Sequence, residues 1–161
     1  MGSTLSVDNI IERTTSAGVQ IPGHVVQFQH QIITTSTGTT ASTSMVDVTN
    51  FYVDITPKNA NNIIVFETNF HAAVTGTNSY ARFRVVDANN SNTQWSSGSY
   101  IGATHYKVPD SWLEVVIRTT NPAGTTNAMR LQLQAFVTAD TFEWNWSGGD
   151  RRICSAMEIA V

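Results

Sequence analysis

The chain is poor in charge, and it has too few basic residues to bind a nucleic acid. Of its 161 residues 13% are charged, about half the share of roughly 25% that is usual for soluble domains. The net charge is -3, with nine Lys and Arg residues in all. A nucleic-acid backbone requires a concentrated basic face. We therefore expect no nucleic-acid partner.

Cysteine is nearly absent, and long apolar runs are missing. Cys154 is the single cysteine, so the chain can form neither an internal disulfide nor a cysteine zinc site. It lies in a strand-like run at 153–159, where we expect a small buried side chain rather than a reactive thiol. No run approaches the roughly 20 apolar residues of a membrane span, and the N-terminus lacks a signal-peptide pattern. These features predict a protein made in the cytoplasm without a membrane partner.

Catalytic and cofactor motifs are also lacking. The sequence has no Gly-x-Ser-x-Gly elbow, phosphate loop or dinucleotide fingerprint. The histidines at 24, 30, 71 and 105 do not have metal-ligand spacing, although His30 and His71 could meet across adjacent strands as structural residues. Six acidic residues could in principle supply a carboxylate pair for glycoside hydrolysis, but the sequence does not pair them. They are Asp54, Glu67, Asp87, Asp110, Glu114 and Asp140. We expect no enzyme, no metal and no cofactor.

The sequence is rich in alternating apolar and polar residues, most clearly between 54 and 73. A β-rich run ends at Thr56, residues 57–62 have turn composition, and Ile63 begins a second run. In that second run the apolar side chains share one face and the polar side chains share the other. The apolar set is Ile64, Phe66, Phe70 and Ala72, and the polar set is Glu67, Asn69 and His71. The pattern predicts a central hairpin in an antiparallel sheet that is buried on one side.

Further strands are predicted on both sides of this hairpin. They cover 24–33, 45–56, 80–86, 112–120, 129–137 and 153–161. In the first of them Phe28 and Ile32 lie on one face and the glutamines at 27, 29 and 31 on the other. In 129–137 the apolar residues at 129, 131, 133, 135 and 137 form a core face. The alternation changes register near Asn50, which indicates a β-bulge or a bend. Residues 34–44 read as a loop, 93–106 as a short strand and a long loop, and 112–137 as a second hairpin. About eight strands without a helix predict an all-β fold, an antiparallel β-sandwich or jelly roll.

The first 23 residues differ from the head domain predicted at 24–161. They contain few apolar side chains and much loop composition, which predicts an extended arm that becomes ordered only against another subunit or a larger assembly. The side chains available for such docking are Leu5, Val7, Ile10, Ile11, Val19 and Ile21.

An aromatic segment at 141–147 is the candidate for ligand binding. Trp144 and Trp146 alternate with polar residues, and two arginines, Arg151 and Arg152, follow a Gly-Gly turn. Exposed tryptophan faces suit sugar rings. The favoured alternative places these aromatics in the core or in a subunit interface, where Trp is enriched. The arginines could form an interface salt-bridge cluster or lie in a solvated turn.

Several short stretches resemble small structural proteins of tailed bacteriophages, especially those that infect cyanobacteria. They are 3–10 and 14–19 in the arm, 55–57 with 63–65, Arg82-Phe-Arg84, and the terminal Ser155-Ala-Met-Glu-Ile-Ala160. The resemblance implies a β-sandwich head, homotrimeric association and a capsid-bound or host-facing location. It supplies no catalytic residues, and it does not extend to 93–106 or to the tryptophan segment.

Two roles within that class remain open. A capsid cement, or decoration, protein needs a trimeric head and an arm laid between capsid subunits, and the proportions of this chain favour that role. An extended arm of about 20 residues reaches roughly 70 Å. We expect a homotrimer on the virion surface, assembled in the host cytoplasm, whose arm docks on the major capsid protein or another virion protein. The alternative is a tail-fibre or receptor-binding tip that recognises host glycans.

Overall fold

A computed structural model of the chain describes residues 21–34, 38–75, 79–96, 113–144 and 152–161. The predicted arm up to residue 20, together with His105, Asp110, Trp146 and Arg151, lies outside the described residues. Ten strands and one short 3-10 turn, Ala88–Asn90, are present in the described part. The strands are β1 Val25–Ile33, β2 Gly38–Thr40, β3 Val46–Ile55, β4 Ile63–Val74, β5 Ala81–Asp87, β6 Thr93–Gln94, β7 Leu113–Pro122, β8 Met129–Val137, β9 Phe142–Trp144 and β10 Arg152–Ile159.

The strands form two antiparallel sheets packed as a sandwich. In sheet A the long strands lie in the order β1-β10-β4-β7, with the short β9 paired to the far end of β4 and β2 paired to β9. Sheet B has the order β3-β8-β5-β6. Without the two short strands β2 and β9, this is the eight-strand wrapping of a jelly roll. The predicted all-β sandwich is confirmed.

The two predicted hairpins are wrong, although their strands are right. Strand β3 pairs with β8 in sheet B, whereas β4 lies between β10 and β7 in sheet A. Residues 56–62 therefore cross from one sheet to the other. Strands β7 and β8 are likewise in different sheets. Alternation shows which side chains share a face, and turn composition shows where the chain reverses, but neither identifies the strand that supplies the hydrogen bonds.

The predicted core faces and the irregularity at Asn50 are confirmed. On β8, Met129, Leu131, Leu133, Ala135 and Val137 are all buried. The pairing of β3 with β8 shifts between Asp47 and Tyr52, and Asn50 has φ 68. Because of this bulge, Val48 and Phe51 both point into the core. The buried Gln132 amide donates hydrogen bonds to the carbonyls of Val48 (2.9 Å) and Phe51 (3.2 Å), which satisfies backbone groups near the bulge.

A chain of aromatic rings links the two sheets through the core. Phe51 contacts Phe70 edge-on at 5.0 Å between ring centroids, Phe70 contacts Phe83 at 5.7 Å, and Phe83 contacts Phe142 at 5.4 Å. Trp144 stacks on Phe142 at 5.6 Å and ends the chain. Edge-to-face and stacked pairs of this kind stabilise a core by about 0.5–1.5 kcal/mol each beyond their burial. In the aromatic segment at 141–147, Phe142 and Trp144 are therefore core residues.

Candidate functional site

The outer surface of sheet A carries the large apolar side chains that are exposed within the described strands. Six large apolar side chains within strands are exposed, and all six belong to sheet A. They are Val25, Phe28, Ile32, Ile63, Val116 and Ile153. Phe28 is 55% exposed and Val116 61% exposed. Such a concentration on one side of a domain is typical of contact surfaces, whereas single exposed apolar residues need no explanation. We call the outer side of sheet A the apolar face.

The apolar face owes its composition to the orientation of β1. On strand β1, Gln27 and Gln31 are half-buried on the inward side, whereas Gln29 is exposed. The Gln27 amide donates to the Thr56 carbonyl (2.7 Å) and the Gln31 amide to the Asn50 carbonyl (3.4 Å). Since side chains alternate along a strand, Phe28 and Ile32 must then point outward. The sequence separated these two sets correctly but did not indicate that the polar set faces inward.

The strand registers place the apolar side chains in two rows. Phe28 lies opposite Met157, and Met157 lies opposite Val65, which gives one row across β1, β10 and β4. Ile32 lies opposite Ile153 in the second row. A shallow groove of about 440 Å³ runs over this surface. Its lining consists of Phe28, Val65, Glu67, Thr68, Asn69, Val116, Ile153, Ser155 and Met157.

Polar side chains form a row between the two apolar rows. His30 lies opposite Ser155, Ser155 opposite Glu67, and Glu67 opposite Arg118. The Arg118 Nε atom is 3.5 Å from Glu67 Oε2, and both side chains are at least half exposed. An exposed pair of this length contributes little to stability. Its charges remain available to a binding partner.

The outer side of sheet B has the opposite character. Arg130 donates to both carboxylate oxygens of Asp54, at 2.8 and 2.9 Å, and its guanidinium lies 4.2 Å from the centre of the Tyr52 ring. The hydrogen bond to Asp54 raises the pKa of Arg130 above its usual value. Gln134 accepts from Arg84 (2.8 Å) and donates to Asp47 (2.7 Å). These polar groups have partners within the domain, and water can hydrate whatever donors and acceptors they leave exposed.

Glu158 holds one end of the sandwich together, a role that no sequence motif predicts. Its side chain is 0% exposed and accepts hydrogen bonds from the backbone N–H groups of Lys58 (2.9 Å) and Asn59 (3.2 Å). It also accepts from the side chains of Asn62 (2.7 Å) and Gln27 (2.5 Å). A buried carboxylate is tolerated when several donors surround it. Glu158 thereby ties the 56–62 crossing to sheet A. Its position on the inward side of the alternating strand 153–161 was the one available hint.

The residues predicted for ligand binding do not form a single site. Trp144 is 4% exposed and packs over Gly38, so its ring presents no face to a sugar. The core interpretation therefore holds for Trp144. Arg152 contacts His71, with Nη2 2.8 Å from Nδ1. Ile21, the one predicted docking side chain of the arm within the described part, is exposed. Leu5, Val7, Ile10, Ile11, Val19, Trp146 and Arg151 lie outside the described residues.

The described histidines and carboxylates are held in separate structural contacts. His30 and His71 are not neighbours, because β10 lies between β1 and β4. Asp87 caps the 3-10 turn by accepting from the Asn89 N–H (3.1 Å), and Asp140 accepts from the Ser79 hydroxyl (2.7 Å). Within the described ranges, no group of three His, Cys, Asp or Glu side chains is placed to hold a metal. No helix in the same ranges is long and apolar enough to cross a membrane.

Cys154 occupies the core, as the sequence predicts. It is 0% exposed, and its Sγ lies 3.3 Å from the Thr68 hydroxyl. Burial raises the pKa of the Cys154 thiol to about 12, against a small opposing effect of the Thr68 hydrogen bond. The thiol is therefore protonated at neutral pH, and it is a packing group rather than a nucleophile.

Comparisons with known proteins give a fold and no family. No family model matches the chain, and no curated protein matches it. Among solved structures, a structure of infectious bursal disease virus Gt strain is similar with a TM-score of 0.51 and 10% identity, over 89% of this chain and 42% of that one. A mutant VP2 protein of the same virus, in T=1 particles, is similar with a TM-score of 0.50 and 8% identity, over 99% of this chain and 42% of that one. This chain spans less than half the length of those proteins, and at such low identity the likeness establishes the jelly-roll fold alone.

Proposed function

We propose that the protein is a structural component of a virion, most specifically a homotrimeric cement protein on the capsid surface. The observation that carries the proposal is the apolar face on an otherwise polar jelly roll: exposed Phe28, Ile32, Val116 and Ile153 lie on sheet A, while sheet B has paired polar groups. A protein that works by assembly needs a surface of this kind. The jelly-roll fold is common in viral capsid proteins but serves other functions too, so it supports the proposal without carrying it.

The proposal assigns attachment, not catalysis, to this chain. Three of the acidic side chains that could supply a carboxylate pair make structural contacts: Asp54 with Arg130, Glu67 with Arg118, and Asp87 with the 3-10 turn. Attachment would be divided between two parts of the molecule. The head supplies the trimer contact, and the N-terminal arm supplies the contact with the major capsid protein or another virion protein.

The junction between arm and head defines where the arm can be removed. Gly23 N–H donates to the Ala160 carbonyl (2.8 Å), and Ala160 N–H donates to the His24 carbonyl (3.0 Å). These bonds clamp the start of β1 to the end of the chain. A deletion that leaves the head intact therefore ends at residue 20 rather than at residue 23.

Location and arm dependence test the proposal. Virions of the virus that encodes the chain are purified on a density gradient, and the protein is identified by mass spectrometry and located by cryo-electron microscopy. We expect density on the capsid surface in threefold clusters. Deleting residues 1–20, or replacing Ile10 and Ile11 by Ser, is expected to abolish capsid occupancy, whereas replacing Thr14 by Ala is expected to preserve it. Full occupancy without the arm would contradict the cement role, and density at the tail tip would favour the host-binding alternative.

A further inference from the structure

We propose that a second copy of this chain packs on the apolar face, burying Phe28 and Val116, with Arg118 facing Glu114 of the partner subunit. The exposed apolar side chains within the described strands are confined to this face. A soluble domain that leaves Phe28 55% exposed and Val116 61% exposed on one side gains from covering both. The proposal deepens the trimer of the proposed function by assigning its contact surface.

The size of the apolar face suits contact between subunits. Four strands about 4.8 Å apart span roughly 19 Å, and the outward positions of β4 from Ile63 to His71 extend over about 27 Å. The flat extent is thus on the order of 500 Å², and side-chain relief adds to the accessible area. A stable interface buries about 800 Å² per partner. The face and its margins reach this order of size, which a short peptide or a small ligand would not fill.

The charges on β7 are complementary to those of another copy. Glu114 is exposed and accepts one hydrogen bond, from the Asn69 amide at 3.2 Å, and among the described residues no cation forms an ion pair with it. Arg118 lies on the same strand, and one long contact to Glu67 leaves guanidinium donors unused. A neighbouring copy would bring its own Glu114 to Arg118. The same contact can repeat around a ring in which every subunit uses the same two residues, and the homotrimer of the proposed function has this symmetry.

The test is the mass of the full chain in free solution. Multi-angle light scattering at about 20 µM is expected to give three times the 17.6 kDa chain mass for the natural sequence. Val116→Asp is expected to give a monomer, because it places a carboxylate in the contact. Phe28→Ala is expected to weaken association by at least about 30-fold. The matched control is Thr49→Asp, an exposed position on β3 of sheet B, which should remain a trimer. Circular dichroism and a urea midpoint verify that each variant is folded.

Charge reversal tests the pairing within the contact. Arg118→Glu and Glu114→Arg should each weaken the trimer by about tenfold, and the double variant should recover most of that loss if the two residues face each other between subunits. A natural chain that is monomeric at this concentration would overturn the proposal, whether the N-terminal segment or a capsid subunit covers the face instead. A trimer that survives both Val116→Asp and Phe28→Ala would also overturn it. The mass is measured without virions, so the trimer contact can be wrong while the capsid location is right. Likewise, the capsid location can be wrong while the trimer contact is right.

Discussion

Glu158 offers the sharpest test of how the sandwich is held together. Replacing it by Ala removes the acceptor for the backbone N–H groups of Lys58 and Asn59 and for the side chains of Asn62 and Gln27. A hydrogen bond to a charged group is worth about 1.5–3 kcal/mol, and a buried donor left without an acceptor costs about 1–3 kcal/mol. The 56–62 crossing lies at one end of the sandwich, so water can replace some of the hydrogen bonds that Glu158 no longer accepts. We therefore expect a loss of about 3–5 kcal/mol for Glu158→Ala.

Glu158→Gln separates the charge from the shape of this side chain. The amide fills the same space but places an N–H₂ group where one oxygen accepts from Gln27 and Lys58. We expect a loss of about 1–3 kcal/mol, smaller than that of the Ala variant. The matched control is Asp47→Asn: Asp47 is an exposed carboxylate that accepts one bond from Gln134 (2.7 Å). Its loss should stay within about 0.5 kcal/mol, as for most surface substitutions.

Urea unfolding at one fixed protein concentration measures these differences. If the free energy of unfolding falls by about 2 kcal/mol per molar urea, the Ala variant should lower the urea midpoint by about 2 M and the control by about 0.25 M or less. The slope should be unchanged if only the folded state is affected. A Glu158→Ala midpoint within about 0.5 M of the natural chain would refute the assignment of Glu158 as the anchor of the 56–62 crossing.

Two further predictions concern the core. Gly38→Ala should destabilise the fold by about 1–3 kcal/mol, because a Cβ at Gly38 would overlap the Trp144 indole, whose Nε1 would lie 2.7 Å away. The urea midpoint measures this loss. If the double variant Gly38→Ala with Trp144→Phe lost as much stability as the sum of the two single variants, that result would contradict the overlap. Cys154 should react with a thiol reagent at pH 8 about 1000-fold more slowly in the folded protein than in urea, since burial raises its pKa from 9.0 to about 12. Equal labelling rates in folded and unfolded protein would contradict the burial of Cys154. The raised pKa also means that the free energy of unfolding should fall as the pH rises from about 9 towards 12, because the unfolded thiol releases its proton first.

On strand β1 the alternation of apolar and polar residues was identified correctly, but it did not show which of the two sides faces inward. The sequence placed Phe28 and Ile32 on one side of the first strand and the glutamines on the other, and that division is correct. In the structure, however, Gln27 and Gln31 face inward, and their amides donate to the backbone carbonyls of Thr56 and Asn50. An inward apolar set is the usual arrangement for a single domain. The inverted arrangement leaves the apolar set outside, where another chain can cover it.

What the sequence by itself determined is the set of properties that depend on neighbouring residues. Alternation located nearly all of the long strands, identified the buried face of β8, and marked the irregularity at Asn50, because side chains two apart share a face whatever the partner strand is. The single Cys154 in an apolar strand was enough to predict a buried thiol. About eight alternating strands without a helix predicted an all-β sandwich.

Only the tertiary structure decided which strands pair, which face of β1 is buried and what Glu158 does. The turn residues at 57–62 serve equally well for a hairpin and for a crossing between sheets, and the choice depends on β8, β10 and β7, whose strands lie at least 50 residues further along the chain. Trp144 is a core residue because Gly38 leaves room for its ring, and Glu158 can be buried because four donors converge on it. These outcomes depend on contacts between residues distant in sequence, which a local pattern does not encode.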